Sequence, residues 1–277
     1  MSQRFLESSL CSKFVDGIMD FVDKQSIVRK IWGDADVVLF IFAGAAAEFS
    51  LNKAVDWLYF TGKLPKDPLG RLFSTVTYAQ KIVFSELSAA NSAIDQIVSI
   101  HKNVEKSRQS QIPDWAYRDV LFMLIYYSIQ SFQALERKLT LTEKEEVFLT
   151  FLAVGERMQI SGLPKNFEQW EIMHNKQLDE DLIYSKFSAD LFVQYRKNLG
   201  LFRFSLLKRI QGLIAPQHVK QLLKLGNGKS IVPILLVYKA FKALKLHRFV
   251  RNMLLPAQYK SEILNLEMID KTINLPG

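Results

Sequence analysis

Apolar residues recur along this chain at steps of three and four, the spacing that gathers them on one face of a helix. Period-two alternation, the mark of a half-buried strand, is less evident. Within residues 1–30, Phe14, Ile18, Phe21 and Val22 supply an apolar side and predict an N-terminal helix. Gly33-Asp34 breaks it. Asp34 or Asp36 then caps a second helix that carries Val37 to Ala47 and reaches Glu48. Asp67-Pro68 is another helix start, with a carboxylate for the free N–H groups and a proline suited to the first turn. Beyond it Arg71, Ser74, Thr75 and Tyr78 form a polar ridge, and Leu72, Phe73, Val76, Ile82 and Val83 form the apolar side. A further helix starts near Ser85 or Ser88, and Ile94, Ile97, Val98, His101 and Val104 share its apolar face. The polar run Lys102 to Gln111 reads as an exposed helix end and loop.

Ile112-Pro113-Asp114 restarts a helix of about 25 residues, long by the usual scale. It is apolar nearly all round from Val120 to Tyr127 and is therefore placed at the centre. Thr142-x-x-Glu145 has the capping-box pattern and opens a helix to Met158. Gly162-Leu163-Pro164 ends that region, and Phe167 to Tyr195 reads as two helices. The segments LIAPQHVKQLLKL and LLPAQYKSEILNL are alike, each a proline-started helix, but two copies do not make a repeat array. The pattern predicts an all-α fold, a single large multi-helix domain over residues 1–277. Twelve Gly and eight Pro are few for an all-β chain of 277 residues.

Composition narrows the setting. One cysteine, Cys11, rules out an intramolecular disulfide and fits a reducing compartment. Residues 1–25 carry Asp16, Asp20, Asp23 and Lys24 and lack an apolar run of signal-peptide length, so the expectation is a cytoplasmic protein. No stretch reaches the roughly 18 apolar residues of a membrane span. Val37–Ala47, Val120–Ile129 and Ile231–Val237 are read as core helices. From Leu191 to Ser261 there are fourteen Lys or Arg and no Asp or Glu, in a chain of net charge +8. The rest of the chain is therefore net negative. Such a basic face attracts polyanions or an anionic membrane surface, or is simply a solvated surface. Lys239, Lys242, Lys245, Arg248 and Arg251 step by three and wind around a helix, which argues against a membrane-surface or DNA-reading helix. No nucleic-acid-binding motif is present, and no nucleic-acid partner is expected.

Candidate chemistry is sparse. No Cys/His cluster has zinc spacing. His174, among Glu171, Lys176 and Asp179, is expected to be exposed, as are His218 and His247 in basic surroundings. His101 alone sits in an apolar stripe, one helix after the ridge of Arg71, Ser74 and Thr75. By residue type it reads first as a structural histidine. If the two faces meet, they make a pocket with one nitrogen donor in apolar walls.

DPLGRLFST, followed by a His-bearing apolar helix, resembles the haem-dependent superfamily of the latex-clearing rubber oxygenases and the ER-bound oxygenase of mycophenolic acid biosynthesis. Similarity extends through GDADVVLFIFAGAAA, AYRDVLFMLIYYSI, LERKLTLTEKEEVF, LAVGERMQISGLPKNFEQW and GLIAPQHVKQLLKL, covering residues 30–225. Residues 226–277 would be a basic helical extension. The resemblance implies an all-helical core holding haem b, with His101 as the proximal iron ligand and Arg71 and Thr75 on the distal side, where they would polarise bound oxygen or hold a propionate. The family's distal lysine falls at Ser74, which supplies no nitrogen ligand, so the distal position would be open or water-bound. An acidic base is implied upstream, with Asp56 nearest by spacing and Glu48 second. Where many relatives have His-Ser, this chain reads NKAVDWLYFTG.

The implied activity is that of a haem-dependent oxidoreductase using O2 to oxidise or cleave a small unsaturated apolar substrate, an isoprenoid or lipid. The competing expectation is a non-catalytic helical protein that binds haem or lipid and docks through its basic C-terminal face. The run Ala43-Gly44-Ala45-Ala46-Ala47 admits close approach of a second helix or of a flat ligand such as a porphyrin. Tyr126 and Tyr127 are read as packed core tyrosines ahead of ligand-binding ones.

Overall fold

Short polar side chains set where the helices begin. Ser26 caps α1 (Ile27–Gly33) by accepting from the Val28 N–H. Asp34 caps α2 (Ala35–Leu51) by accepting from the Asp36 and Val37 N–H groups. Asp67 caps α4 (Pro68–Val83) through the Gly70 N–H, with Pro68 in the first turn as expected. The computed structural model describes residues 19–60, 62 and 67–243. The remaining helices are α3 (Val55–Phe60), α5 (Leu87–Arg108), α6 (Asp114–Leu135), α7 (Leu141–Arg157), α8 (Phe167–Glu180), α9 (Lys186–Ile214), α10 (Gln217–Leu222) and, after a 3-10 turn, α11 (Val232–Ala243). Eleven α-helices and no named strand among the described residues make the class all-α. No helix among them is long and apolar enough to cross a membrane.

The capping box is at Thr140 and Glu143, which corrects the expected Thr142–Glu145 by two residues. Both pairs have the right spacing. Arg137 decides between them by gripping both Glu143 oxygens, at 2.9 and 2.6 Å, and holds that carboxyl down to about 2. The expected helix through residues 1–30 also needs correction. Met19 to Gln25 is not helical, because its backbone is spent on the α4–α5 connection: Phe21 N–H donates to Ser85 O, and Leu87 N–H to Met19 O. Phe14, Ile18, Cys11, His247 and the segment LLPAQYKSEILNL lie outside the described residues.

α6 is the central helix, as its all-round apolar character predicts. α1, α2, α7, α8 and α9 pack around it. Phe122, Ile125 and Tyr127 are fully buried there beside Val38 and Ile41 of α2 and Phe148 of α7. The tiny residues of α2 accommodate α6. A Cβ placed on Gly44 would sit 2.1 Å from the Tyr127 ring. On the other flank of α2, buried Gln211 of α9 donates to the Ala43 carbonyl at 3.0 Å. Of the two occupants expected for the small-residue run, a helix fills this place.

A polar knot ties the end of α2 to the rest. The Asn52 side chain accepts from the Ala54 N–H and donates to Asp119 of α6 at 2.7 Å. Lys53 N–H and Ile183 N–H extend the knot to the α8–α9 connection by pairing with Asp181 O and Leu51 O. This knot fixes the direction in which α3 leaves. Burial pushes the Asp119 carboxyl from its ordinary 3.8 to about 8, against the hydrogen bond from Asn52. A raised acid binds its proton more tightly folded than unfolded, so stability falls as pH rises between those two values. Its steepest slope is ~1.4 kcal/mol per pH unit. Denaturant titrations at several pH values should show Asp119→Asn losing this slope while keeping the acceptor for Asn52. An unchanged slope would mean that Asp119 is ionised in the fold.

The basic C-terminal region is partly neutralised by the body. Lys242 of α11 pairs with Asp34 at 2.6 Å and with Glu136 at 2.5 Å, and Tyr238 bonds Asp36. α11 is thereby pinned to the start of α2.

Candidate functional site

The buried stripe of α5 loosens along its length. Near the start Ala90, Ala93 and Ile94 are buried. Farther on the same stripe continues as Ile97, Val98, His101, Val104, Glu105 and Arg108, all half-buried, while Ile100, Lys102, Asn103 and Lys106 are exposed. A helix covers its stripe fully when packed along its whole length, so the second half of α5 lines a partly covered face. His101 is in its middle. Its ring meets Tyr117 of α6 edge-on at 5.1 Å.

α4 supplies the neighbouring wall. The short 84–86 connection and the packing of the two helices make α4 and α5 an antiparallel hairpin. Counting back from the connection, Leu69 at the start of α4 is level with His101, and the last two turns of α5 run on past the start of α4. Ser74 and Thr75 are half-buried, and Arg71 is on the same stretch of helix. The same count sets Arg71 level with Ser99, ~3 Å along the axis from His101, and Thr75 level with Asp95, ~9 Å along it.

α3 closes one end. Asp56 accepts from Arg108 at 2.6 Å, and the Arg108 guanidinium lies 4.0 Å from the Trp57 ring centre and 5.6 Å from that of Phe60. Tyr59, on the same short helix, donates to Asp190 of α9 at 2.8 Å. So α3 is held between α5 and α9, and Asp56 comes to the His101 helix through Arg108. Glu105 accepts from the Ile112 N–H at 2.9 Å and from the Tyr117 hydroxyl at 3.3 Å. Burial, and then the Glu105 charge, push the Tyr117 phenol up, so it remains a hydrogen-bond donor across the neutral range.

Glu48, the second candidate acid, is elsewhere. It is fully buried, accepts from Tyr127 at 2.9 Å and from Gln177 at 3.4 Å, and lies 3.8 Å from His174 Nε2. Tyr127 is ten residues along α6 from Tyr117, or ~15 Å at the helical rise. Glu48 thus belongs to the core knot of α2, α6 and α8. His174 is 3% exposed, which corrects the expectation of an exposed residue. Its charged sequence neighbours point away. Its neighbours along the helix face, Trp170 and Gln177, are buried with it, and the Trp170 ring stacks on it at 5.4 Å. His218 is half-buried, with Nδ1 3.4 Å from Asp179.

Arg108, Glu105, Trp57 and Tyr117 were not singled out from the sequence. The signal was present for two of them: His101, Glu105 and Arg108 are spaced i, i+4, i+7 on one helix face.

No three His, Cys, Asp or Glu side chains gather as a metal site among the described residues. A haem iron asks for only one such side chain, plus apolar walls for the macrocycle and donors for its carboxylates. The α5 face has residues of each kind: His101, the apolar Ile97, Val98 and Val104, and Arg108, whose Nη1 is buried without an acceptor. The residues present therefore fit the group.

No curated protein gives a significant match to the chain. The family model described as ER-bound oxygenase mpaB/B'/Rubber oxygenase, catalytic domain, matches residues 29–258, which span every described helix except the first residues of α1. By that match over most of its length, the chain belongs to the mpaB/rubber oxygenase catalytic-domain family.

Proposed function

We propose that this protein is a haem b oxygenase that uses O2 to oxidise or cleave a small unsaturated apolar substrate, an isoprenoid or lipid. The observation that carries this reading is the half-buried second half of α5, where His101 is the one imidazole among Ile97, Val98 and Val104. Membership of an oxygenase family gives that face its chemistry. When bound, haem supplies the redox chemistry of oxygen activation.

The chain's own residues have simpler tasks. His101 would hold the haem iron through a ring nitrogen. Thr75 and Arg71 orient oxygen or substrate by hydrogen bonding. Ser74, at the place of the family's lysine, adds a hydroxyl and no competing nitrogen ligand. Asp56 gives or takes a proton at Oδ1, since Arg108 occupies Oδ2. The apolar stripe excludes water and holds the substrate chain.

The test is an absorption spectrum of the purified protein reconstituted with haem, beside His101→Ala. A haem band that shifts or vanishes in the variant is expected, followed by oxygen uptake with unsaturated lipids. Absence of a band in the wild type, where a known haem protein reconstitutes, would overturn the reading.

A second reading, a non-catalytic lipid-binding protein that docks through its basic C-terminal region, draws on one observation. At the Gly200 kink in α9, φ 74°, Leu201 and Phe202 stand 68% and 72% exposed within the stretch that lacks acidic residues. Binding to anionic vesicles that falls steeply with salt, without haem uptake, would favour it.

A further inference from the structure

We infer that Arg108 reads the carboxylate of an apolar ligand lying along the His101 face. The two sources of that chemistry are a haem propionate and the headgroup of a fatty acid. The haem arm rests on the proposed function; the fatty-acid arm does not.

The Arg108 guanidinium is held by two contacts. Trp57 covers it at 4.0 Å, and Asp56 takes Nη2 at 2.6 Å. These two contacts fix its plane and use one edge of its donor fork. Nη1 is buried and meets no acceptor. A buried donor on a charged group without a partner costs more than a neutral one, so folds seldom leave one idle. An acceptor was near at hand, because Glu105 is three residues earlier on the same helix. Its Oε1 instead takes both the Ile112 N–H and the Tyr117 hydroxyl, and Arg108 Nη1 bonds neither oxygen of that carboxylate. Nη1 of Arg108 is thus held in place without an acceptor.

Its position says what kind of molecule would fill it. Seven residues are close to two full helical turns, so Arg108 lies on the face of His101, ~10 Å farther along the axis. Between them the stripe offers Val104, with Ile97 and Val98 on the far side of His101. A ligand spanning this face is apolar along its body and anionic at the Arg108 end. A planar carboxylate can pair with the open edge of a guanidinium, which an alcohol or ester cannot do as well.

The test compares acid with ester in two ligand pairs. cis-Parinaric acid and its methyl ester are titrated by fluorescence. Haem and haem dimethyl ester are titrated by absorption. Wild type, Arg108→Gln and Arg108→Lys are used as full chains, with thermal melts to confirm folding. The wild type should prefer the acid by about tenfold or more in at least one pair, the size of a charge-assisted hydrogen bond. In R108Q that ratio should fall towards one with ester affinity unchanged, and R108K should fall between.

A preference confined to the haem pair assigns the edge to the cofactor. One confined to parinaric acid assigns it to the substrate. If no protein takes up haem while R108Q still abolishes discrimination for parinaric acid, the oxygenase reading fails and this inference stands. Equal binding of acid and ester by the wild type in both pairs overturns it, as does a ratio that R108Q leaves unchanged. Should R108Q not fold, R108K decides: a ratio equal to wild type overturns the assignment.

Discussion

Gly44→Ala should destabilise the protein by about 2–4 kcal/mol, and Gly44→Val should prevent folding. The usual expectation runs the other way, since alanine in a helix interior gains ~1 kcal/mol over glycine. Here the added methyl meets Tyr127 at 2.1 Å from Cδ1 and 2.2 Å from Cε1. The obstacle is the flank of a fully buried ring, not the tip of a mobile side chain. The ring is held at its hydroxyl by Glu48 and on its side by Tyr126, at 5.1 Å and 89°. It cannot swing away without breaking a hydrogen bond to a buried carboxylate, a loss of ~1.5–3 kcal/mol, on top of ~1–3 kcal/mol of overpacking. In a chain of this size each kcal/mol lowers the midpoint by roughly 2–4 °C. Thermal and denaturant unfolding read the effect directly. A Gly44→Ala protein as stable as wild type would mean that α2 and α6 do not approach this closely.

The same contact shows what could be read from the sequence. The run Ala43–Ala47 announced a close approach, and periodicity placed α6 at the centre. Which partner used the small residues depended on how two helices distant in sequence cross, and no local pattern carries that. The caps at Asp34 and Asp67 were legible because a cap is a contact within a few residues. The capping box slipped because two overlapping matches have the same spacing, and Arg137, six residues before Glu143 and outside either match, favours one of them. His174 was misplaced by weighing its neighbours in sequence. Its neighbours in space are Trp170 and Gln177, one turn away on either side, and that stripe was available to periodicity. The ridge on α4 and the histidine on α5 were legible as faces. The wall made by Asp56, Trp57 and Arg108 was not, because residues 52 apart pair there through a short helix with no pattern of its own. Charge counting likewise found the basic C-terminal region and missed that Lys242 answers to Asp34 and Glu136.

Removing the buried Glu48 carboxylate should cost about 3 kcal/mol as Glu48→Ala and little or nothing as Glu48→Gln. In the alanine variant two groups lose their partner at once, the Tyr127 hydroxyl and the Gln177 amide, and the nearby His174 ring loses a neighbour. All are buried, and water reaches them only if the cavity fills. Glutamine keeps the shape and still accepts from Tyr127. It also brings two N–H donors to a place where Gln177 Oε1 and His174 Nε2 are buried without partners. It removes a charge from the interior as well, where an uncompensated carboxylate is costly. A glutamine variant at least as stable as wild type would therefore mean that the knot wants donors and not charge. If both variants lose the same few kcal/mol, the knot requires the second acceptor oxygen that glutamine lacks. Because this knot is ~15 Å along α6 from His101, haem uptake by a folded Glu48→Gln protein should match wild type. Its loss there would place Glu48 in the functional site and return it to the role second in line by sequence spacing.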